Sequence, residues 1–205
     1  MPMQFSYTIA IVAVTALVSW LAFSRPAMLQ ALVLWPPAVT RDHQYHRFIG
    51  YGLVHADFMH LLMNMVTLYF FGRVMEGFYA DYLGPLGFLA FYTSALVVSA
   101  LPSYLKHRHD PKYMTLGASG GVSAVLFAFI LLRPWETIYL YFIPVPAILF
   151  AVAYTGYSVY MNHRGGDRIN HNAHLSGAAY GVLFTVLMEP KVIGHFLAEL
   201  GNIGG

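Results

Sequence analysis

Six long apolar stretches constrain this 205-residue chain more than any other feature of its sequence. A helix that crosses a bilayer needs about 20 mostly apolar residues, so each stretch is predicted to span a membrane. Only 10% of the residues are charged, against about 25% in a typical soluble domain, which argues against a soluble or nucleic-acid-binding protein. We therefore expect an all-α, polytopic membrane helix bundle with six transmembrane helices. The stretches cover residues 5–23, 53–71, 82–105, 117–132, 137–160 and 171–188.

The chain contains no internal repeat, low-complexity tract or linker, and residues 1–205 are predicted to form one membrane domain. A signal peptide is the alternative interpretation of the first stretch. Residues 1–7 contain no Lys or Arg, and no A-x-A cleavage site follows, which favours a spanning helix. Pro144 and Pro146 fall inside the fifth stretch, so that helix is expected to be kinked or loosely packed there.

Polar side chains inside the apolar stretches are candidates for function, because the bilayer makes buried polar groups costly. His60 and Asn64 are four residues apart, which places them on one helix face. Ser119 lies in the sequence GASGG, after a polar loop and at the start of an apolar helix. The first turn of a helix offers unpaired N–H groups that can stabilise an oxyanion.

His174 lies in the sixth stretch, three residues before Gly177 and seven before Gly181. Such a ridge of small residues lets two helices pack closely. Each feature alone also has a structural explanation, namely interhelical hydrogen bonds, a helix contact through small residues, or a buried histidine.

The combination of these residues predicts catalysis. A serine is inert until a base removes its proton, and a histidine on a closely packed neighbouring helix can be that base. His60 and Asn64 can donate to the oxyanion from a third helix. No acidic residue in the apolar stretches is placed to orient the base, so we expect a dyad of Ser119 and His174 rather than a triad.

These motifs resemble those of the rhomboid intramembrane serine proteases. The resemblance covers residues 5–189 and rests on H-x-x-x-N at 60–64, G-x-S-G at 117–120 and A-H-x-x-G-x-x-x-G at 173–181, which occur in the family's order. It implies that Ser119 is the nucleophile and His174 the general base. His60, Asn64 and the backbone N–H of Ser119 would form the oxyanion hole. His55, five residues before His60, also fits the family pattern.

The resemblance also implies a substrate class and a location. The family cleaves transmembrane helices of other proteins near their outer end, and the chain is similar to short bacterial members of the inner membrane. Residues 24–52 would form a membrane-embedded loop, and the fifth helix with residues 163–172 would admit substrate. Three positions depart from the family pattern, one of which is Ala80, where the family has a glycine four residues after Glu76. His46 replaces a tryptophan before Arg47, and Ser123 replaces a tyrosine that in many members packs under the catalytic histidine.

Two alternative functions compete with that of a protease. A rhomboid-like pseudoprotease would bind transmembrane helices without cleaving them, but Ser119 and His174 are both present. A histidine-based metal site would make the chain a transporter or a zinc protease, but the H-E-x-x-H pattern is absent from the sequence. We therefore expect no metal and no other cofactor.

The distribution of Lys and Arg conflicts with the family's topology. With both chain ends in the cytoplasm, three Lys and Arg residues would lie on the cytoplasmic side and eight on the outer side. The positive-inside rule expects the opposite. We favour the family topology because the three reactive segments match the family motifs closely.

Overall fold

Ten α-helices form most of the protein in a computed structural model that describes residues 5–140, 142–166 and 169–202. A 3-10 turn at Tyr51–Leu53 precedes α5, and two antiparallel strands, β1 (Thr137–Leu140) and β2 (Ile143–Pro146), precede α8. The expected all-α fold class is confirmed. The helices are α1 (Tyr7–Phe23), α2 (Pro26–Leu32), α3 (Pro36–Asp42), α4 (Arg47–Gly50), α5 (Phe58–Leu83), α6 (Gly87–His107), α7 (Ser119–Leu132), α8 (Ala147–Arg164), α9 (His171–Met188) and α10 (Lys191–Gly201).

The helices turn apolar side chains outward, as expected of a bundle surrounded by lipid. Helix α1 buries Thr8, Thr15 and Ser19 and exposes Leu17 and Trp20. A surface helix of a soluble protein has the reverse arrangement, with its polar residues toward water. A large exposed apolar surface needs a partner, and for this bundle the acyl chains of the bilayer are that partner.

Helices α5 and α6 are each long and apolar enough to cross a bilayer. Helices α9 and α10 together form a third candidate span, which bends by 113° between them. Helices α1 and α7 are apolar but have 17 and 14 residues. A count of six spans therefore stays a prediction.

Local signals set the boundaries of α5. The Asp57 side chain accepts a hydrogen bond from the His60 backbone N–H, which caps the helix start. Gly84, with φ of 75°, ends the helix in a backbone conformation that is strained for residues with a Cβ.

Helix α5 extends well past residue 71, the predicted end of the second stretch, and Glu76 lies in this additional part. Its carboxylate accepts hydrogen bonds from the Ser6 hydroxyl and from two backbone N–H groups at the start of α1, so Glu76 has a structural role.

Helix α7 is buried along most of its length and packs closely against α9. A Cβ built on Gly177 would lie 2.8 Å from the carbonyl carbon of Gly120, and one on Gly181 would lie 2.7 Å from that of Ala124. Side chains do not occur at such distances from backbone atoms, so only glycine fits at these two positions. The predicted glycine ridge is therefore confirmed, and it faces the helix that begins at Ser119.

The prediction of one helix over residues 137–160 is wrong. Thr137–Leu140 and Ile143–Pro146 pair with each other as β1 and β2, with Thr137 opposite Pro146, and α8 begins at Ala147. The physical reason lies in Pro144 and Pro146, which have no N–H to donate and disfavour helical geometry at the residue before them. The two prolines lie in a short two-stranded hairpin, where missing ladder donors are tolerated better than inside a helix or a larger sheet.

Residues 24–52 fold into α2, α3 and α4 and are held by Arg47. Its guanidinium donates to the carbonyl oxygens of Gln30 and Val33, both at 2.7 Å, and to the side chain of Gln44. His46, at the position where the family usually has tryptophan, lies with Nε2 3.3 Å from the carbonyl oxygen of Ala31.

Candidate active site

Ser119 and His174 meet where the first turns of α7 and α9 cross. The Nε2 atom of His174 lies 2.7 Å from Oγ of Ser119, although 55 residues separate them in sequence. Both side chains are partly exposed. A hydroxyl at this distance can donate to an unprotonated Nε2, which is the contact that a histidine base needs to remove the proton of a serine nucleophile.

Asn170 fixes the start of α9 and thereby the position of His174. Its side-chain oxygen accepts from the Ala173 backbone N–H at 3.1 Å, which caps the helix. Its amide nitrogen lies within hydrogen-bond distance of the hydroxyls of Ser103, Tyr113 and Thr115. These contacts tie α9 to α6 and to the loop before α7. Within the predicted substrate-admitting segment 163–172, residues 167 and 168 lie outside the described residues.

The His60 ring lies beside Gly117, which precedes Ser119 by two residues. A Cβ on Gly117 would be 2.6 Å from Cε1 of His60, and Gly117 has φ of 112°, so both space and conformation require glycine there. The buried Asn64 amide donates to the carbonyl oxygen of His60 at 2.8 Å. The structure thus brings His60 to the start of α7 and connects Asn64 to it. Their roles as oxyanion donors stay predictions.

His55 holds the residue before Ser119, a contact that the sequence did not reveal. The Ala118 N–H donates to Nε2 of His55 at 3.2 Å, so the other ring nitrogen carries the hydrogen and donates to Oγ of Ser19 at 2.9 Å. The Ser19 hydroxyl in turn donates to the carbonyl oxygen of Leu53 at 2.8 Å. Burial in the loop before α5 lowers the pKa of His55 to about 3, so the ring is neutral and can accept from Ala118.

Tyr154 of α8 has no role predicted from the sequence, but it contacts the candidate dyad. Its ring stacks on the His174 imidazole, with the ring centres 5.9 Å apart and the planes 21° apart. Its hydroxyl lies 2.9 Å from Oγ of Ser123, one helical turn after Ser119. No motif marks Tyr154, because it is one of 15 tyrosines and its partners lie on two other helices.

A polar cavity of about 430 Å³ opens close to the dyad. Its lining includes His107, Tyr113, Asn170 and His171. The His171 ring centre lies 6.0 Å from that of His174, which places the cavity next to the candidate base. Within the described ranges, no three His, Asp or Glu side chains are grouped in a way that could hold a metal ion.

Comparisons with known proteins link this geometry to a family. The family profile of the Rhomboid domain matches residues 42–191. RHOMBOID-like protein 12, mitochondrial, from Arabidopsis thaliana is 31% identical over 159 residues, which are 70% of this chain and 46% of that protein. The chain thus spans about half the length of that relative.

Two bacterial relatives are matched over most of their length. Putative rhomboid protease YdcA of Bacillus subtilis is 27% identical over 180 residues, or 85% of this chain and 84% of that protein. Rhomboid protease GlpG of Haemophilus influenzae is 24% identical over 157 residues, or 75% and 74% of the two chains.

Proposed function

Because the chain belongs to the rhomboid family and is an integral membrane protein, we propose that it is a serine endopeptidase that cleaves transmembrane segments of other membrane proteins. Two bacterial relatives are named as rhomboid proteases, which supports this class of activity. The observation that carries the proposal is the 2.7 Å contact between Oγ of Ser119 and Nε2 of His174 inside an apolar helix bundle.

The proposed reaction proceeds through an acyl-enzyme. His174 takes the proton of the Ser119 hydroxyl while Oγ attacks the scissile carbonyl carbon, and the carbonyl oxygen becomes an oxyanion. His60, Asn64 and the Ser119 backbone N–H donate hydrogen bonds to it. The imidazolium of His174 then protonates the leaving amine. Water, deprotonated by the same histidine, hydrolyses the ester and restores the serine.

Substrate access and location are further parts of the proposal. Transmembrane helices of substrate proteins reach Ser119 between α8 and the bundle, beneath residues 163–172, while residues 24–52 lie in the bilayer. The protein acts in a bacterial inner membrane with both chain ends in the cytoplasm, needs no cofactor, and works as one membrane domain over residues 1–205.

The test is cleavage of a model transmembrane substrate by purified protein in lipid, together with labelling by a fluorophosphonate probe. Ser119→Ala and His174→Ala should each abolish cleavage, and Ser119→Ala should abolish labelling. Ser176→Ala is the matched control, because this α9 serine donates to the carbonyl oxygen of Asn172 in its own helix. Activity of the wild type should persist in EDTA.

Two outcomes would replace the proposal. A wild type that binds the substrate helix but yields neither product nor labelled protein would favour the pseudoprotease. Labelling that persists in Ser119→Ala and disappears in Ser123→Ala would leave a serine hydrolase with a different nucleophile.

A further inference from the structure

The Tyr154 ring stacks on His174 and thereby connects the candidate dyad to α8, a helix that contains neither Ser119 nor His174. Ser119 belongs to α7 and His174 to α9, whereas Tyr154 belongs to α8. The near-parallel planes of the two rings and their centre distance of 5.9 Å are those of an offset stack. A flat ring on one face of the imidazole hinders its rotation about χ2, and that rotation would carry Nε2 away from Ser119.

The tyrosine itself is fixed at both of its ends. Its hydroxyl is hydrogen-bonded to Ser123 at 2.9 Å, and Ser123 is buried in α7. The Phe150 ring stacks on it at 5.4 Å and the Phe127 ring lies at 5.9 Å. The tyrosine therefore spans from the helix of the serine to the ring of the histidine, and its position is set by contacts to both.

Helix α8 differs from the other two helices in how firmly it is held. Helix α7 is buried almost throughout, while α8 buries Ala147, Ala151 and Ser158. Several of its large apolar side chains, such as Val152 and Tyr157, face outward. Displacing α8 would break the stack and the Ser123 hydrogen bond together without separating α7 from α9.

From this geometry, and resting on the proposed function, we infer that Tyr154 is a positioning residue for the reaction. Its ring holds the His174 imidazole in line with Ser119, its hydroxyl is anchored by Ser123, and the dyad is fully aligned only while α8 is docked on the bundle. Tyr154 itself donates to no reacting atom.

The experiment measures the rate of fluorophosphonate labelling of Ser119, because a small probe reports the dyad without entry of a substrate helix. Tyr154→Leu, which removes the flat ring, should slow labelling about tenfold. Tyr154→Phe keeps the ring and should slow labelling by only about threefold. Tyr160→Leu is the matched control, since this α8 tyrosine packs against the Arg164 guanidinium, and its labelling rate should equal that of wild type.

A double-mutant cycle tests the hydroxyl contact. Tyr154→Phe and Ser123→Ala each remove the same hydrogen bond, so each should slow labelling about threefold and the double variant should be no slower than either. With a transmembrane substrate, Tyr154→Leu should lower kcat and leave KM near the wild-type value. A purely structural tyrosine would instead lower the thermal midpoint and would show no such split.

The outcomes separate the inference from the proposed function. If the wild type is labelled and a folded Tyr154→Leu variant is labelled equally fast, the inference is overturned while the proposed serine protease activity stands. A wild type that does not label overturns both. If Tyr154→Leu does not fold, the cycle decides, and additive losses in it would overturn the inference.

Discussion

Gly177→Ala is the most direct test of how helix packing positions the proposed dyad. Gly177 follows His174 by three residues on the same face of α9, and its nearest backbone neighbour across the interface is Gly120, next to Ser119. A methyl group added here meets the backbone of α7 beside the nucleophile. It therefore perturbs the distance between serine and histidine while leaving both side chains in place.

The size of the perturbation follows from the packing distances. The new Cβ would lie 2.8 Å from the Gly120 carbonyl carbon and closer still to its oxygen. Both atoms are backbone and cannot rotate away, so α7 and α9 must separate by about 1 Å at this point. Such a shift would increase the distance between Oγ and Nε2 from 2.7 Å to beyond hydrogen-bond length. A misplacement of about 1 Å can cost roughly 100-fold in rate.

The assay compares fluorophosphonate labelling and substrate cleavage between Gly177→Ala and wild type, with thermal unfolding measured in the same detergent. Gly156→Ala is the matched control, because a Cβ on this α8 glycine meets no atom within 4 Å. The control should keep full activity and be as stable as wild type or slightly more so. A Gly177→Ala protein that folds and labels within a few-fold of the wild-type rate would refute the argument from close packing.

Further predictions follow from individual contacts. Glu76→Ala removes the acceptor at the start of α1 and should lower the free energy of unfolding by about 1 kcal/mol, whereas an unchanged thermal midpoint would contradict its capping role. His55 has a pKa of about 3 when folded and 6.5 when exposed, so the unfolded chain binds an extra proton between these values. Stability should fall as pH drops through that window, by about 1.4 kcal/mol per pH unit, and His55→Gln should remove this contribution. Asn64→Ala should reduce kcat by at most about 10³-fold, and no reduction would exclude it as an oxyanion donor. A cysteine at 109, and not one at 135, should be labelled from outside intact cells, and the reverse pattern would place the dyad on the cytoplasmic side.

The sequence predicts helices well where apolar length and capping signals agree. Helix α9 coincides with the predicted stretch 171–188, and α7 begins two residues after the predicted start at 117. The fifth stretch failed because apolar content alone cannot distinguish a helix from a strand. There, Pro144 and Pro146 lie before the start of α8 rather than kink a longer helix, and Thr137–Leu140 pairs with Ile143–Pro146 instead.

Those residues of the candidate site that belong to short sequence motifs could be predicted from the sequence. The glycines around Ser119 and after His174 indicate both the close packing and the two residues that it brings together. Tyr154 carries no such pattern, and the resemblance that includes His55 does not show which residues His55 contacts. Each acts through contacts between distant segments, Tyr154 with Ser123 and His55 with Ser19, and only the packed structure shows which serine lies opposite.

The arrangement of helix starts explains why the polar residues gather at one end of an apolar bundle. His60, Ser119 and His174 all lie in the first turn of their helices, α5, α7 and α9. The contact of His60 with Gly117 and of His174 with Ser119 brings these three turns together. Each first turn carries the positive end of a helix dipole, and side chains of Asp57 and Asn170 cap one N–H group each at the starts of α5 and α9. If the proposed reaction takes place, such ends in a low-dielectric surrounding favour the negative charge on a substrate carbonyl oxygen beside Ser119. In the proposed reaction, the helix starts would therefore add backbone stabilisation of the oxyanion in a chain of which only 10% of the residues are charged.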